Sequence, residues 1–341
     1  MNSGRPSKAI TRRHDGLIHA YVVDPDVFGP LEPVVVFRPR AGDAVEESVV
    51  RPDLERVVYT TLNEVVCLTR SGDPVWVSAF APHSDVRHGH RPGCSLSPDG
   101  RTVWVYRPDV MAQRRVADQW VVYDADSGEV LARREVDTAG HGGVHLPHPA
   151  DGSVYLTIGE GQDGSVVLRG VIGPDGVPRF VTYPWPDRCL IDLAPGGRQF
   201  MTVDHDQGDV TFHDHPSGDV RFTLPADAFG HDPDDTYDTY VEWSGGYLTP
   251  DTAVVTLGGE REDEEEWFRH HLVDVRTGAL LGEIDLDVSH PYEAVPLGDG
   301  SWLTEGPDGH PVRRSLPTVG EIAAAVRRPA AAGGAPEAAS A

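Results

Sequence analysis

Sixteen histidines and 54 acidic residues give this chain its main chemical opportunity. Imidazole and carboxylate together form the donor set that holds Zn²⁺, Fe²⁺ or Mn²⁺ and lowers the pKa of a bound water. His213 and His215 are two apart and would share one face of a strand, but an outer strand would turn them away from any central site. Asp204-His205-Asp206-Gln207-Gly208-Asp209 and Asp232-Pro233-Asp234-Asp235 offer hard oxygen donors, yet neither follows EF-hand spacing with its closing Glu, so both read as solvated turns. Gly159-Glu160-Gly161-Gln162-Asp163-Gly164 matches G-x-G-x-x-G in letters. A dinucleotide fingerprint must open a helix, whereas Ser165-Val166-Val167-Leu168 reads as a strand, which makes this a hairpin turn. No G-x-S-x-G, P-loop or H-E-x-x-H run occurs, and no cysteine pairs recognisably with His and Asn.

The elements that must carry these residues are short strands between turns. Segment 92–137 shows the unit: a strand to Ser97, the turn Ser97-Pro98-Asp99-Gly100, and the apolar run Val103-Trp104-Val105-Tyr106. Trp120-Val121-Val122-Tyr123 follows, then Asp124-Ala125-Asp126-Ser127-Gly128, then a strand from Val130 to Val136. Four strands joined by Gly/Pro/Asp turns make a meander. Apolar residues at consecutive positions suit a strand whose sheet is covered on both faces. The first turn recurs at Arg51-Pro52-Asp53, Pro149-Ala150-Asp151-Gly152, Ala194-Pro195-Gly196-Gly197, Thr249-Pro250-Asp251 and Leu297-Gly298-Asp299-Gly300. The second recurs at His213-Asp214-x-x-Ser217-Gly218 and Val273-Asp274-x-x-Thr277-Gly278, and more weakly at residues 68–72. A period of about 45 to 55 residues matches propeller blades.

Over about residues 46 to 316 the chain resembles the WD40-repeat family. That family ends its third strand in an aromatic-Asp pair and places Gly-His before its first strand; Gly89-His90, Gly140-His141 and Gly230-His231 stand there in this chain, although no blade has Trp-Asp. The fold expected is all-β, a single β-propeller of about six four-stranded blades, with seven possible if Asp24-Pro25-Asp26 is a further first-type turn. Segment 17–40 (strands Leu17 to Asp24 and Val34 to Arg38) and segment 292–316 would share the blade that closes the ring. Residues 1–15 are expected to be disordered, 16–317 to form the propeller, 318–328 a short helix, and 329–341 an unstructured Ala/Gly/Pro tail.

The resemblance implies that the loops before first strands and those joining second to third strands lie on one face. His88, His90, His141, His145, His148, His231 and His290 would then gather about the channel with Asp187, Asp232, Asp234, Asp238 and Glu293. One reading is a divalent-metal lyase or hydrolase, with His90, His145 and His290 as ligands and Glu293 or Asp238 as base. The favoured reading is a non-enzymatic WD40-like binding or scaffold module without cofactor. Its contacts would be Trp267, Phe268, Glu264 and Glu265 in the long loop 259–271, and Arg114 and Arg115 in the loop 107–119. A formal charge of −25 repels phosphate backbones and anionic lipid, so a protein or peptide partner is expected, not nucleic acid or membrane. Cys67, Cys94 and Cys189 are odd in number and sit in apolar contexts, and no secretory signal is evident, which suggests a cytoplasmic address.

Overall fold

The computed structural model describes residues 8–185, 187–230, 238–260 and 266–315. They form seven antiparallel sheets, six of four strands and one of three, arranged as the blades of one propeller. Blade 2 comprises Glu47–Val50, Arg56–Thr60, Glu64–Thr69 and Pro74–Ala79. Blade 3 comprises Gly93–Leu96, Thr102–Arg107, Asp118–Asp124 and Val130–Val136. Blade 4 follows with Gly142–Pro147, Val154–Gly159, Ser165–Ile172 and Pro178–Thr182. Blade 5 has Arg188–Leu193, Gln199–Asp204, Asp209–Asp214 and Val220–Pro225, and blade 6 has Asp238–Thr249, Thr252–Glu260, Glu266–Asp274 and Leu280–Ile284. Among the described residues no helix is long and apolar enough to cross a membrane.

Burial explains the consecutive apolar positions. All of Thr102–Arg107 is buried. Val103 and Val105 pack with Val58, Cys67 and Trp76 of blade 2, while Trp104 and Tyr106 pack with Val154, Leu156 and Ile158 of blade 4. Each sheet thus shields its neighbour on both sides, and removal of that apolar surface from water holds the ring together.

The blade count exceeds the main expectation by one, and the reason lies in Lys8–His14. This strand pairs with Leu17–Val23 through a turn at Asp15 and Gly16, both at positive φ, and Leu17–Val23 pairs with Val35–Phe37 to give blade 1. Its sequence, KAITRRH, has no apolar alternation because it lines the channel, so it read as part of a disordered tail. Asp24-Pro25-Asp26 is not the missing turn; it leads outward to Gly29–Pro30. Blade 7 joins that strand to Val295–Pro296, Ser301–Glu305 and Pro311–Ser315. The two ends of the chain do share a closing blade, but only Gly29–Pro30 crosses; the strands within 17–40 belong to blade 1. The helix expected at 318–328 lies outside the described residues.

Arg313 pins the crossing segment. Buried in blade 7, its guanidinium donates to the carbonyls of Asp24 and Val27, to Ser301 Oγ and to Asp299 Oδ2, and it lies 4.5 Å from the centre of the Phe28 ring. Leu31 N–H donates to Pro311 O at 2.8 Å.

Candidate functional site

The innermost strands of the blades surround a channel, and one end of it opens as a cavity of about 670 Å³. Its wall takes Arg13 from blade 1, Glu46 and Glu47 from blade 2, His90 and Arg91 ahead of blade 3, and Trp243 from blade 6, with backbone of Gly93, Gly142 and Gly143 between them. The loops expected to share a face do so. His141, ahead of blade 4, meets Gly89 O through Nδ1 at 2.7 Å, and His205, between the second and third strands of blade 5, meets Gly161 O through Nε2 at 2.7 Å.

Trp243 is the aromatic of this mouth, and its aim comes from an irregularity in the strand. The pairing of Asp238–Thr249 with Thr252–Glu260 slips between Val241 and Gly245, and such a bulge redirects side chains. Gly245 needs the irregular backbone: its φ is +116° and a Cβ there would lie 2.3 Å from Val254 O. Glu242 turns inward to accept the Tyr292 hydroxyl at 2.7 Å, while Trp243 stays 39% exposed and donates its indole N–H to Asp204 O. Val144, 59% exposed, adds an apolar surface across the mouth. Neither residue was singled out from the sequence; the Ser244-Gly245-Gly246 run is the sign of a bulge that it offers.

Charge at the mouth is mixed. Desolvation raises the Glu47 carboxyl above its ordinary pKa even though it accepts Ser48 N–H. His90 is buried with neither ring nitrogen hydrogen-bonded, and desolvation, with Arg114 adding to it, lowers its pKa. It therefore presents a neutral imidazole to the cavity at pH 7.

The remaining residues singled out from sequence fall in several places. His145 is half-buried, accepts Trp120 Nε1–H at Nε2 (3.1 Å), and is pushed down to about 3 by desolvation. Glu293 accepts Ser289 N–H and Oγ–H, and His290 Nδ1 accepts Tyr292 N–H. Asp238 opens a strand, but its side chain lies outside the description, as do Glu264, Glu265, His231, Asp232 and Asp234. Trp267 and Phe268 are not on an exposed loop: they belong to strand Glu266–Asp274 and are half-buried, with Trp267 against the core shared by blades 5 and 6. Burial of the Trp267 ring against that core, and strand pairing of both residues, outweigh the loop character that the neighbouring acids suggest. Arg114 is also inward. It and Arg107 flank the fully buried Asp109 at 3.2 and 3.1 Å, and Arg114 donates to the carbonyls of Leu62 and Pro82, whereas Arg115 beside it is exposed.

Among the described residues, one group of metal-ligating side chains has donor atoms within 4.8 Å of one another: His148, Asp151 and His215. It lies at the turns of blades 4 and 5 and includes His148, one of the histidines expected around the channel, but none of the ligands His90, His145 and His290 of the metal reading. Its donors are engaged. Asp151 accepts Ser153 N–H and Oγ–H, Arg169 at 2.7 Å and His215 Nε2 at 2.8 Å; His148 bridges to Gly197 O of blade 5, and Tyr155 hydroxyl meets His215 Nδ1. Burial alone would raise the Asp151 pKa, but the bonds from Ser153 and Arg169 overcome it and hold the carboxyl well below its usual range. With a guanidinium on the same carboxylate, the group acts as a clasp between blades. His213 is in a strand and buried, while His215 is in the following turn, so the two do not share a strand face.

Fold and site together define a seven-bladed propeller with an open channel mouth. The chain is similar in structure to Hsv2p of Kluyveromyces lactis (TM-score 0.54, 11% identity, 88% of this chain and 86% of that one) and to BamB from Moraxella catarrhalis (0.51, 14%, 92% and 82%). It is also similar to dihydro-heme d1 dehydrogenase NirN in complex with DHE (0.51, 13%, 88% of this chain), of which it spans 58%. At these identities the likeness shows the fold alone. No family model matches the sequence, and no curated protein matches it.

Proposed function

We propose that the protein is a binding module, not an enzyme, and that the channel mouth holds a protein or peptide partner. The observation that carries this is the combination at one end of a rigid ring: an open cavity of about 670 Å³ with exposed Trp243 and Val144 and charges of both signs around it. Aromatic anchors beside polar groups are what recognition surfaces concentrate. Glycine backbone along the inner strands lets an extended ligand approach closely. The charge of −25 supports a protein partner over nucleic acid or an anionic membrane.

The test is selection of peptides from a random library on the immobilised protein, followed by affinity measurement in solution. Selected peptides should bind Trp243→Ala roughly tenfold or more weakly, the usual loss at an aromatic hot spot. Binding equal in the wild type and Trp243→Ala would place recognition elsewhere, and failure to select any peptide would remove the reading.

A further inference from the structure

Three histidines meet at the seam where the first and last blades join. The ring centroids of His14 and His310 are 5.2 Å apart, those of His19 and His310 5.5 Å, and those of His14 and His19 5.8 Å. A tetrahedral dication 2.0–2.1 Å from each imidazole nitrogen would put the ring centroids about 3.2 Å from itself and about 5.2 Å from each other. The triangle is thus close to the size that a three-histidine centre needs.

Local pairing produces it. Arg12 is opposite His19 and His14 opposite Leu17 in the first hairpin, so His14, His19 and Tyr21 point to the same side of blade 1. That side faces blade 7, whose Gly306–His310 turn brings the third ring. Two observations suggest more than packing. His19 is half-buried, yet both its ring nitrogens are enclosed and lack a hydrogen-bond partner, an unusual cost for a polar ring. His310 meets the Tyr21 hydroxyl through Nδ1 at 2.5 Å, which leaves Nε2 as its donor atom, and ligand histidines commonly have such a support on the second nitrogen. Carboxylates stand close by: Asp15 is 3.3 Å from His14 Nε2, and the His14 ring and the Glu305 carboxylate both flank Gly309.

We propose that His14, His19 and His310 form a binding site for a borderline divalent transition metal such as Zn²⁺, with Asp15 or water completing four ligands. In the structure the donor atoms of the three rings do not all lie within 4.8 Å of one another and His14 directs Nε2 toward Asp15, so the site requires that half-buried ring to turn on metal binding. Nitrogen donors select Zn²⁺, Co²⁺ or Ni²⁺ over Ca²⁺. The metal would fasten blade 1 to blade 7, a role separate from the channel mouth.

Tag-free protein titrated with Co²⁺ should take up one ion per chain with the intense visible bands of tetrahedral coordination, and Zn²⁺ should displace them. His14→Ala and His310→Ala should abolish the bands. Tyr21→Phe, which removes only the support on His310, should weaken binding roughly tenfold. Zn²⁺ should raise the thermal midpoint of the wild type and leave that of His14→Ala unchanged; His14 is half-exposed, so this variant keeps the test open if His19→Ala does not fold. Absence of Co²⁺ uptake by the wild type, or uptake unaltered in His14→Ala, overturns the proposal.

Discussion

His213 and His270 show how a single buried ring ties stability to pH. His213 is enclosed between Thr202 Oγ1 (2.9 Å) and Gly218 O (3.1 Å), and His270 bonds Thr256 Oγ1 at 3.0 Å. Desolvation pushes both down to about 4. Because the folded pKa lies below the unfolded value of 6.5, the unfolded chain takes up protons first on acidification. The stability these rings contribute is present above pH 6.5 and is lost as pH falls toward 4, by roughly 2–3 kcal/mol for each. Urea midpoints measured at pH 7 and pH 5 should fall accordingly, and His213→Phe with His270→Leu should flatten the difference; an unchanged slope would mean that the rings are not the source. Little of this was legible beforehand. Histidine content drew attention to metal, but whether a given ring is enclosed, as His213 is, or open, as His141 is, depends on the neighbouring blade and not on its own sequence.

At the scale of the element, the turns do double duty. In two of the second-type turns the Asp caps its own backbone: Asp124 Oδ1 accepts the N–H groups of Asp126 and Ser127, and Asp274 accepts that of Arg276. The glycine that ends the turn also lies against an aromatic ring of the preceding blade. A Cβ on Gly128 would stand 2.6 Å from Trp76, and the equivalent position at Gly218 meets Trp185. Gly128→Ala should therefore cost roughly 2–4 kcal/mol, from positive φ and overpacking together. Gly152→Ala, at φ +75° with nothing within 4 Å, should cost only about 1 kcal/mol. Chemical denaturation of both variants separates the two contributions, and equal losses would rule out the contact. These turns were readable because Asp, Ser and Gly act locally. Blade 1 was not, since Lys8–His14 lacks apolar alternation and Gly29–Pro30 is too short to show a pattern. Trp243 was hidden for a related reason: a bulge changes where a side chain points without changing its residue type.

For the whole molecule, closure rests on one short crossing. Arg313→Ala removes the buried guanidinium that holds Asp24, Val27 and Asp299 together, and it should lower stability by roughly 2–3 kcal/mol, as expected when the donor to buried carbonyls is lost. Hydrogen exchange gives a more specific reading, because the Leu31 amide should lose protection while amides in blade 4 keep theirs. Uniform loss across all blades would mean that the seam has no separate identity. The ring itself was legible from the repeated turns. The partner strand at its join was not, because pairing between residues 29 and 313 leaves no local trace in either segment.

Blade 7 also sets an order of events during synthesis. Its outer strand, Gly29–Pro30, is made about 280 residues before its partner, Pro311–Ser315, so every nascent chain must carry an unclosed circle with two raw sheet edges until that partner has emerged. Slow codons or a holding chaperone acting before Pro311–Ser315 emerges would bear on yield far more than the same delay placed after it. A permuted gene that begins in the connection ahead of blade 2 and appends residues 8–45 after Ser315 would make the joining strands near neighbours in time.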